Sequence, residues 1–234
     1  MKSTIQDKDK LVNSVFSEVY QKYDLMNDIM SFGIHRIWKE KFIDWMNPQP
    51  NSMLIDVAAG TGDIAKMFYK ETNYSSKITC IEPNLKMLNQ GKIKLKNYKA
   101  IRWINASAEK IPLEDNIFDY YSISYGIRNV TSVNDTLKEA FRVLKPGGRF
   151  MCLEFSKIDN ELLNFFYKLY SKTIPHIGKI IVGSKQPYEY LVQSINEFYD
   201  QNQLTDLIKK NGFTNVECRN LNNGISAIHS GWKI

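Results

Sequence analysis

Gly60, Gly62, Asp63 and Glu82 are the residues whose types and spacing speak most directly of chemistry. The first three close the segment Met53-Leu-Ile-Asp-Val-Ala-Ala-Gly-Thr-Gly-Asp63, and Glu82 closes a second apolar run twenty residues after Gly62. Gly60 and Gly62 have no Cβ, so the backbone there can take left-handed angles and come close to a ligand, while Asp63 opens the helix that follows. That geometry fits a nucleoside-type cofactor. A carboxylate ending the second strand suits a ribose diol, because it accepts hydrogen bonds from both hydroxyls and rejects a 2′-phosphate. NAD and S-adenosylmethionine both satisfy these conditions. Dinucleotide enzymes favour G-x-G-x-x-G, whose third glycine packs helix on strand. Here that glycine is missing and no pyrophosphate cradle is evident.

The elements that must hold these residues follow from apolar periodicity. Strand-like runs at Met53–Val57, Lys77–Ile81, 100–105, Phe118–Ser124 and 150–155 alternate with helical segments of roughly ten residues or more, which predicts an α/β fold with a mostly parallel sheet. Arg142-Val-Leu-Lys-Pro-Gly-Gly-Arg149 ends a helix and enters the fifth strand: proline fixes φ and stops the helix, and the glycines permit positive φ. After further helical stretches, β-like runs at 212–221 and 223–232 flank Asn222-Asn-Gly224, a hairpin signal for an antiparallel edge pair. Residues 1–50 read as helices laid over the cofactor mouth. The whole chain, 1–234, is expected to be a single domain with that segment as a lid.

The pattern Asp56-x-Ala58-x-Gly60-x-Gly62 resembles motif I of the class I methyltransferases. Ser107-Ala-Glu-Lys-Ile-Pro-Leu-Glu-Asp-Asn-Ile-Phe-Asp119 lies where that group places the loop edging the adenine. Three further segments narrow the resemblance: Tyr23-Asp-Leu-Met-Asn-Asp-Ile-Met-Ser-Phe-Gly-Ile-His-Arg-Ile-Trp-Lys39, Ser124-Tyr-Gly-Ile-Arg-Asn-Val130, and Lys145-Pro-Gly-Gly-Arg-Phe-Met-Cys-Leu-Glu-Phe-Ser-Lys157. Together they look like the ubiquinone/menaquinone biosynthesis C-methyltransferases, over nearly the whole chain from about Val15 to Ile234. The resemblance implies a Rossmann-like sheet of seven strands with a C-terminal antiparallel hairpin and helices on both faces. It also implies S-adenosyl-L-methionine as cofactor, and methylation of a ring carbon of a polyprenylated benzoquinol (the 2-polyprenyl-6-methoxy-1,4-benzoquinol type) or of demethylmenaquinol.

Carried over position by position, the resemblance places Gly60, Thr61, Gly62 and Asp63 in the glycine turn, Glu82 at the ribose, Ser107 and Ala108 beside the adenine, and Ser124 after the fourth strand. Three positions depart from the family: Glu82 stands where aspartate is usual, Ser107 where asparagine is frequent and Ala59 where glycine is frequent. These changes could loosen cofactor binding without altering the reaction. A neutral quinol carbon attacks a sulfonium poorly, whereas loss of a hydroxyl proton pushes electron density into the ring. Arg128 is therefore expected to stabilise the phenolate electrostatically and Asn129 to orient the ring oxygen or a water, with Tyr23 joining a water-relayed proton transfer if its segment folds over the mouth. Asp24 shares that position. None of His35, His176 and His229 is a compelling base.

Composition fits without deciding. Cys80, Cys152 and Cys218 sit inside apolar runs with neither C-x-x-C nor paired spacing, so they read as reduced core residues and no metal is expected. No run approaches about 18 uncharged apolar residues and no apolar signal core opens the chain, which points to a cytoplasmic protein. The net charge of +6 is spread over helix surfaces without an RNA-binding motif, so no nucleic-acid partner is expected. RNA methylation stays the alternative transferase reading, although Ser-Tyr-Gly-Ile replaces an Asn-Pro-Pro-Tyr motif. Modification of another small molecule, an NAD-dependent oxidoreductase and a catalytically silent binding protein complete the alternatives. At 161–172 the polar residues Glu161, Asn164, Lys168, Ser171 and Lys172 form one helical stripe among apolar neighbours, a face for either the sheet or a membrane surface at the inner membrane. A homodimer or a quinone-biosynthesis complex is compatible with the resemblance.

Overall fold

The computed structural model describes residues 5–20, 25, 28, 31, 33–158, 170, 173 and 185–234. Tyr23 and Asp24 lie outside the described residues, as does the 161–172 stripe apart from Tyr170. Five parallel strands, β1 (Met53–Val57), β2 (Lys77–Ile81), β3 (Ile101–Ile104), β4 (Phe118–Ser124) and β5 (Leu144–Phe155), are joined by β6 (Thr214–Leu221) and β7 (Ser226–Trp232). The sheet order is β3-β2-β1-β4-β5-β7-β6, with β7 antiparallel to both β5 and β6. The hairpin expected at Asn222-Asn-Gly224 forms, and all three residues have positive φ. Order reverses between β1 and β4, so a crevice opens at the carboxyl ends of these two strands.

Seven helices among the described residues complete the fold: α1 (Ile5–Val19), α2 (His35–Met46), α3 (Asp63–Glu71), α4 (Leu85–Lys94), α5 (Val133–Val143), α6 (Gln186–Glu197) and α7 (Gln201–Lys210). Period-2 alternation divides the apolar residues of each strand between two faces. Leu54, Ile78, Met151 and Leu153 pack with Phe42 of α2, Phe68 of α3 and Leu191 of α6. On the other face Ile55, Val57, Ile81, Phe150 and Cys152 meet Leu137 of α5 and Ile208 of α7. Strands buried on both faces explain why the sequence shows apolar runs there rather than strict alternation.

The Pro-Gly-Gly segment behaves somewhat differently from the expectation of a turn before the strand. α5 stops at Val143 and β5 pairs immediately, Leu144 opposite Phe118, then slips so that Arg149 faces Tyr120. Residues 145–148 form a bulge inside a longer β5. Lys233 backbone holds it, its carbonyl accepting from Gly147 N–H at 2.6 Å and its N–H donating to Gly148 at 3.0 Å. Among the described residues no helix is long and apolar enough to cross a membrane.

Candidate active site

The glycine turn is left-handed at Gly60 (φ 58°) and Gly62 (φ 86°), but the two glycines do different work. A Cβ on Gly62 would lie 2.6 Å from Leu95 Cδ1 and 3.1 Å from the Trp103 ring. Gly62 therefore allows α3 to pack beside the end of α4, facing away from the crevice, whereas Gly60 lines it. A second close approach widens the same crevice: Gly126, just after β4, would place a Cβ 2.5 Å from that of Ala58. Loops after β1 and β4 can touch there only because one of them lacks a side chain.

Glu82 ties the turn together. Its Oε2 accepts from Gly60 N–H at 2.8 Å and its Oε1 from Asn84 N–H at 2.9 Å. Each carboxylate oxygen keeps a second lone pair and Glu82 lines the crevice, so the residue can brace the turn and still take ribose hydroxyls. Asn84 caps α4 by accepting from Lys86 and Met87 N–H. Its amide also donates to the Asn13 carbonyl and side chain and to Ser17 Oγ, which fastens α1 across the crevice.

The cavity holds about 270 Å³ of water-accessible space, between Val12, Asn13 and Phe16 of α1 on one side and Gly60, Glu82 and Tyr125 on the other. Met87 and Ala108 make one end apolar, with exposed Ser107 at the rim, as an adenine would require. Beyond Ala58 and Tyr125 a smaller recess continues, lined by Lys39, Asp56, Thr61, Asp63 and Ser124. Asp63 is shared by Lys39 Nζ at 2.7 Å and Lys94 Nζ at 2.8 Å. Despite burial these two ammonium groups hold its carboxyl well below the usual range. Thr61 Oγ1 accepts from Lys94 Nζ at 3.1 Å. Asp56 Oδ1 accepts from Ser122 Oγ at 2.7 Å, while Asp56 Oδ2 and Ser124 Oγ are buried with no hydrogen-bond partner among the described residues. Orphaned polar atoms lining a recess suit a polar ligand. A carboxylate at the diol position, an apolar end and an unsatisfied polar recess fit S-adenosylmethionine.

Arg128 and Asn129, adjacent in a short 3-10 turn (Ile127–Asn129), divide between two cavities. Asn129 lines the first, held by Tyr125 O and by the Tyr190 hydroxyl, which donates to Asn129 Oδ1 at 3.1 Å. Burial pushes the Tyr190 phenol up to about 12, so it remains a donor near neutral pH. Arg128 lines a neighbouring cavity with Tyr190, Val133 and Phe198. Its Nη1 donates to Glu154 Oε1 and to Tyr125 O, both at 2.7 Å, in an ion pair whose side chains are only 4% and 2% exposed. Its Nε–H, also buried, has no partner among the described residues.

The histidines with described surroundings are structural. His35 Nε2 pairs with Asp28 at 2.9 Å and His229 Nε2 meets Gln201 O at 3.0 Å, and burial lowers the pKa of both. Burial likewise pushes the Cys80 and Cys152 thiols up, away from thiolate chemistry. Of the residues picked out by sequence, Gly60, Glu82, Ser107, Ala108 and Asn129 meet at one cavity and Thr61, Asp63 and Ser124 at the adjoining recess. Sequence reasoning missed Asn84, Asn13, Phe16, Met87, Tyr125 and Lys39. Asn84 carried a signal, an N-cap two residues after Glu82, and Tyr125 and Lys39 lie inside the segments that carry the family resemblance; Asn13, Phe16 and Met87 carried none.

Proton release should accompany cofactor binding. Burial pushes the Asp56 and Glu82 carboxyls up to about 7, opposed by the Ser122 hydroxyl at Asp56 and by backbone N–H groups at Glu82. An ammonium or ribose hydroxyls beside these carboxyls favour the ionised form, so they bind protons less tightly in the complex. Below about pH 7 binding must expel protons. Affinity should fall as pH drops from about 7 to about 5.5, by up to roughly tenfold per unit for each coupled carboxyl. Calorimetry in buffers of different ionisation enthalpy measures the release, and Glu82→Gln should remove its share. Affinity that is flat over this range would refute the coupling.

The comparisons with known proteins agree with this geometry. A model of the ubiE/COQ5 methyltransferase family matches residues 3–233. A ubiquinone/menaquinone biosynthesis C-methyltransferase UbiE of Rickettsia bellii is 52% identical, covering 97% of this chain and 94% of the relative. The mitochondrial 2-methoxy-6-polyprenyl-1,4-benzoquinol methylase of Dictyostelium discoideum is 42% identical over 98% of this chain and 83% of its own. Among solved structures, a SAM-dependent methyltransferase from Aquifex aeolicus superposes with a TM-score of 0.62 at 16% identity, over 84% and 89% of the two chains. Phosphoethanolamine N-methyltransferase 2 of Haemonchus contortus, in complex with S-adenosyl-L-methionine, gives 0.64 at 14% identity over 84% and 52%. The fold is that of class I methyltransferases, and at this identity and coverage the chain belongs to the ubiE/COQ5 methyltransferase family.

Proposed function

We propose that this protein transfers the methyl group of S-adenosylmethionine to a ring carbon of a polyprenylated benzoquinol or naphthoquinol. The observation that carries the reading is the cavity in which Glu82, an apolar adenine end and an orphaned polar recess lie beside an amide and a guanidinium donor. The bound cofactor supplies an electrophilic methyl: the ring carbon gains it, the sulfur keeps the bonding electrons and the ring proton passes to water. The chain's own residues make the ring carbon nucleophilic. Asn129 presents an amide to the cofactor cavity, and Arg128 offers a buried Nε–H on the other side of the partition. A quinol oxygen placed between them would lose its proton more readily, since both donors favour the oxyanion. Tyr190 fixes the Asn129 amide so that its N–H₂ end faces away from the phenol. Tyr23 is proposed to join the proton relay from the lid, and water is the proton acceptor.

A lipid-soluble substrate also argues for contact with a membrane surface, and the 161–172 stripe is the segment proposed for it. The decisive assay incubates purified protein with labelled cofactor and, separately, a demethylated benzoquinol, a demethylated naphthoquinol and RNA. Label in the carbon skeleton of a quinol is the expected result. Label in RNA alone, or cofactor binding without transfer to either quinol, would overturn the reading.

A further inference from the structure

The backbone of Asn129 and its side chain are held by different parts of the chain. Lys8 of α1 donates to the carbonyls on either side, those of Arg128 and Val130, and the Glu109 carboxylate accepts from Thr131 N–H at 2.6 Å and from Ser132 N–H at 3.3 Å. The N–H of Asn129 itself donates to Gly126 O at 3.0 Å. Its side-chain amide rests on two weaker contacts: Nδ2 donates to Tyr125 O at 3.3 Å, and Oδ1 accepts from the Tyr190 hydroxyl at 3.1 Å. Tyr190 stands on α6, which buries Tyr188, Leu191 and Ile195, whereas the Tyr190 side chain lines the Arg128 cavity. A phenol joins a rigid ring to one polar tip, and here the tip is spent on an amide oxygen. Contacts at both ends of an amide fix its swing. Donation into Oδ1 also draws electron density from the nitrogen, which makes the remaining N–H a stronger donor.

We propose that Tyr190 is a positioning residue for methyl transfer: through its hydroxyl, α6 holds and polarises the Asn129 amide so that one nitrogen hydrogen serves the substrate oxygen. This rests on Asn129 serving that oxygen, as in the function proposed above. Tyr190 acts through Asn129 alone and takes no proton, since burial keeps its phenol protonated near neutral pH. Because Lys8, Glu109 and Gly126 hold the surrounding backbone, loss of the hydroxyl releases the amide and leaves the turn in place.

The test is a double-mutant cycle of Tyr190→Phe and Asn129→Ala, read by single-turnover transfer of label from S-adenosylmethionine to a demethylated benzoquinol and a demethylated naphthoquinol. Tyr190→Phe should slow transfer by about threefold to tenfold near neutral pH, the worth of one neutral hydrogen bond, while calorimetric affinity for S-adenosylmethionine stays within about twofold. The deficit should shrink between about pH 6 and about pH 9, where more of the substrate ionises unaided. In the Asn129→Ala background Tyr190→Phe should have no further effect. If Tyr190→Phe slows both backgrounds by the same factor at every pH, Tyr190 is a packing residue of α6 and the inference fails. It fails alone also if Tyr190→Phe keeps the wild-type rate while Asn129→Ala is slow. A wild-type rate in Asn129→Ala removes the amide from the chemistry and Tyr190 with it, and a wild-type protein that labels neither quinol overturns the function beneath both.

Discussion

Arg128→Met should cost about 3–5 kcal/mol of stability, because it leaves the Glu154 carboxyl buried without the charge that balances it. Burial already pushes that carboxyl above its ordinary value, with Arg128 the leading opposing influence. The variant should also lose turnover by about a hundredfold to a thousandfold if the orphaned Nε–H serves the developing oxyanion. Stability and chemistry can be separated. Removing both partners of a buried pair is often close to neutral, so Arg128→Met/Glu154→Leu should recover most of the folding free energy while turnover stays low. Cofactor affinity should change little in the double variant, since Arg128 lines the neighbouring cavity. Urea unfolding and single-turnover methyl transfer read the two effects. A double variant with restored stability and wild-type rate would make Arg128 a packing residue.

Gly60→Val should abolish cofactor binding, weakening it by more than about a thousandfold. Three consequences of one side chain combine. A β-branched residue at φ 58° is strained, by roughly 1–2 kcal/mol for the left-handed region alone. Its methyls would project from a residue that lines the cavity. Any backbone adjustment would also break the N–H donation to Glu82 and release the carboxylate proposed for the ribose. Gly62→Val is a useful contrast, because its clash falls on Leu95 and Trp103 and so should appear first in melting temperature. A folded Gly60→Val protein with intact affinity would remove the turn from the site.

The parts of the site that sequence reveals are those fixed by local backbone chemistry. Gly60, Gly62 and Glu82 announce themselves because a left-handed turn needs glycine and because a carboxylate at the end of an apolar run has few other reasons to be there. Asn222-Asn-Gly224 is legible for the same reason. The mostly parallel seven-stranded sheet with its C-terminal hairpin was carried by family resemblance together with the alternation of runs, since both cores demand apolar strands. What stayed hidden is long-range pairing. Arg128 meets Glu154 across 26 positions, Lys39 meets Asp63 across 24, and Asn84 reaches Asn13 across 71. None of these spacings has a periodicity to detect. Residues 145–148 deceived for a subtler reason: proline and paired glycines mark a bulge inside a strand as readily as a turn before one.

Asn84 does more than cap a helix. Together with Lys8, whose ammonium donates to the carbonyls of Arg128 and Val130 at 3.3 and 2.6 Å, it pins α1 over the cavity at both ends of the crevice. The consequence lies in timing. A spent cofactor that leaves past α1 must first open those hydrogen bonds, and the side chains that part are polar groups with water ready to replace their partners. Departure by that path then includes a discrete opening of the clasp, besides the release of whatever holds adenine and ribose. Each exchange of product for fresh cofactor by that path then includes a lifting of the first helix.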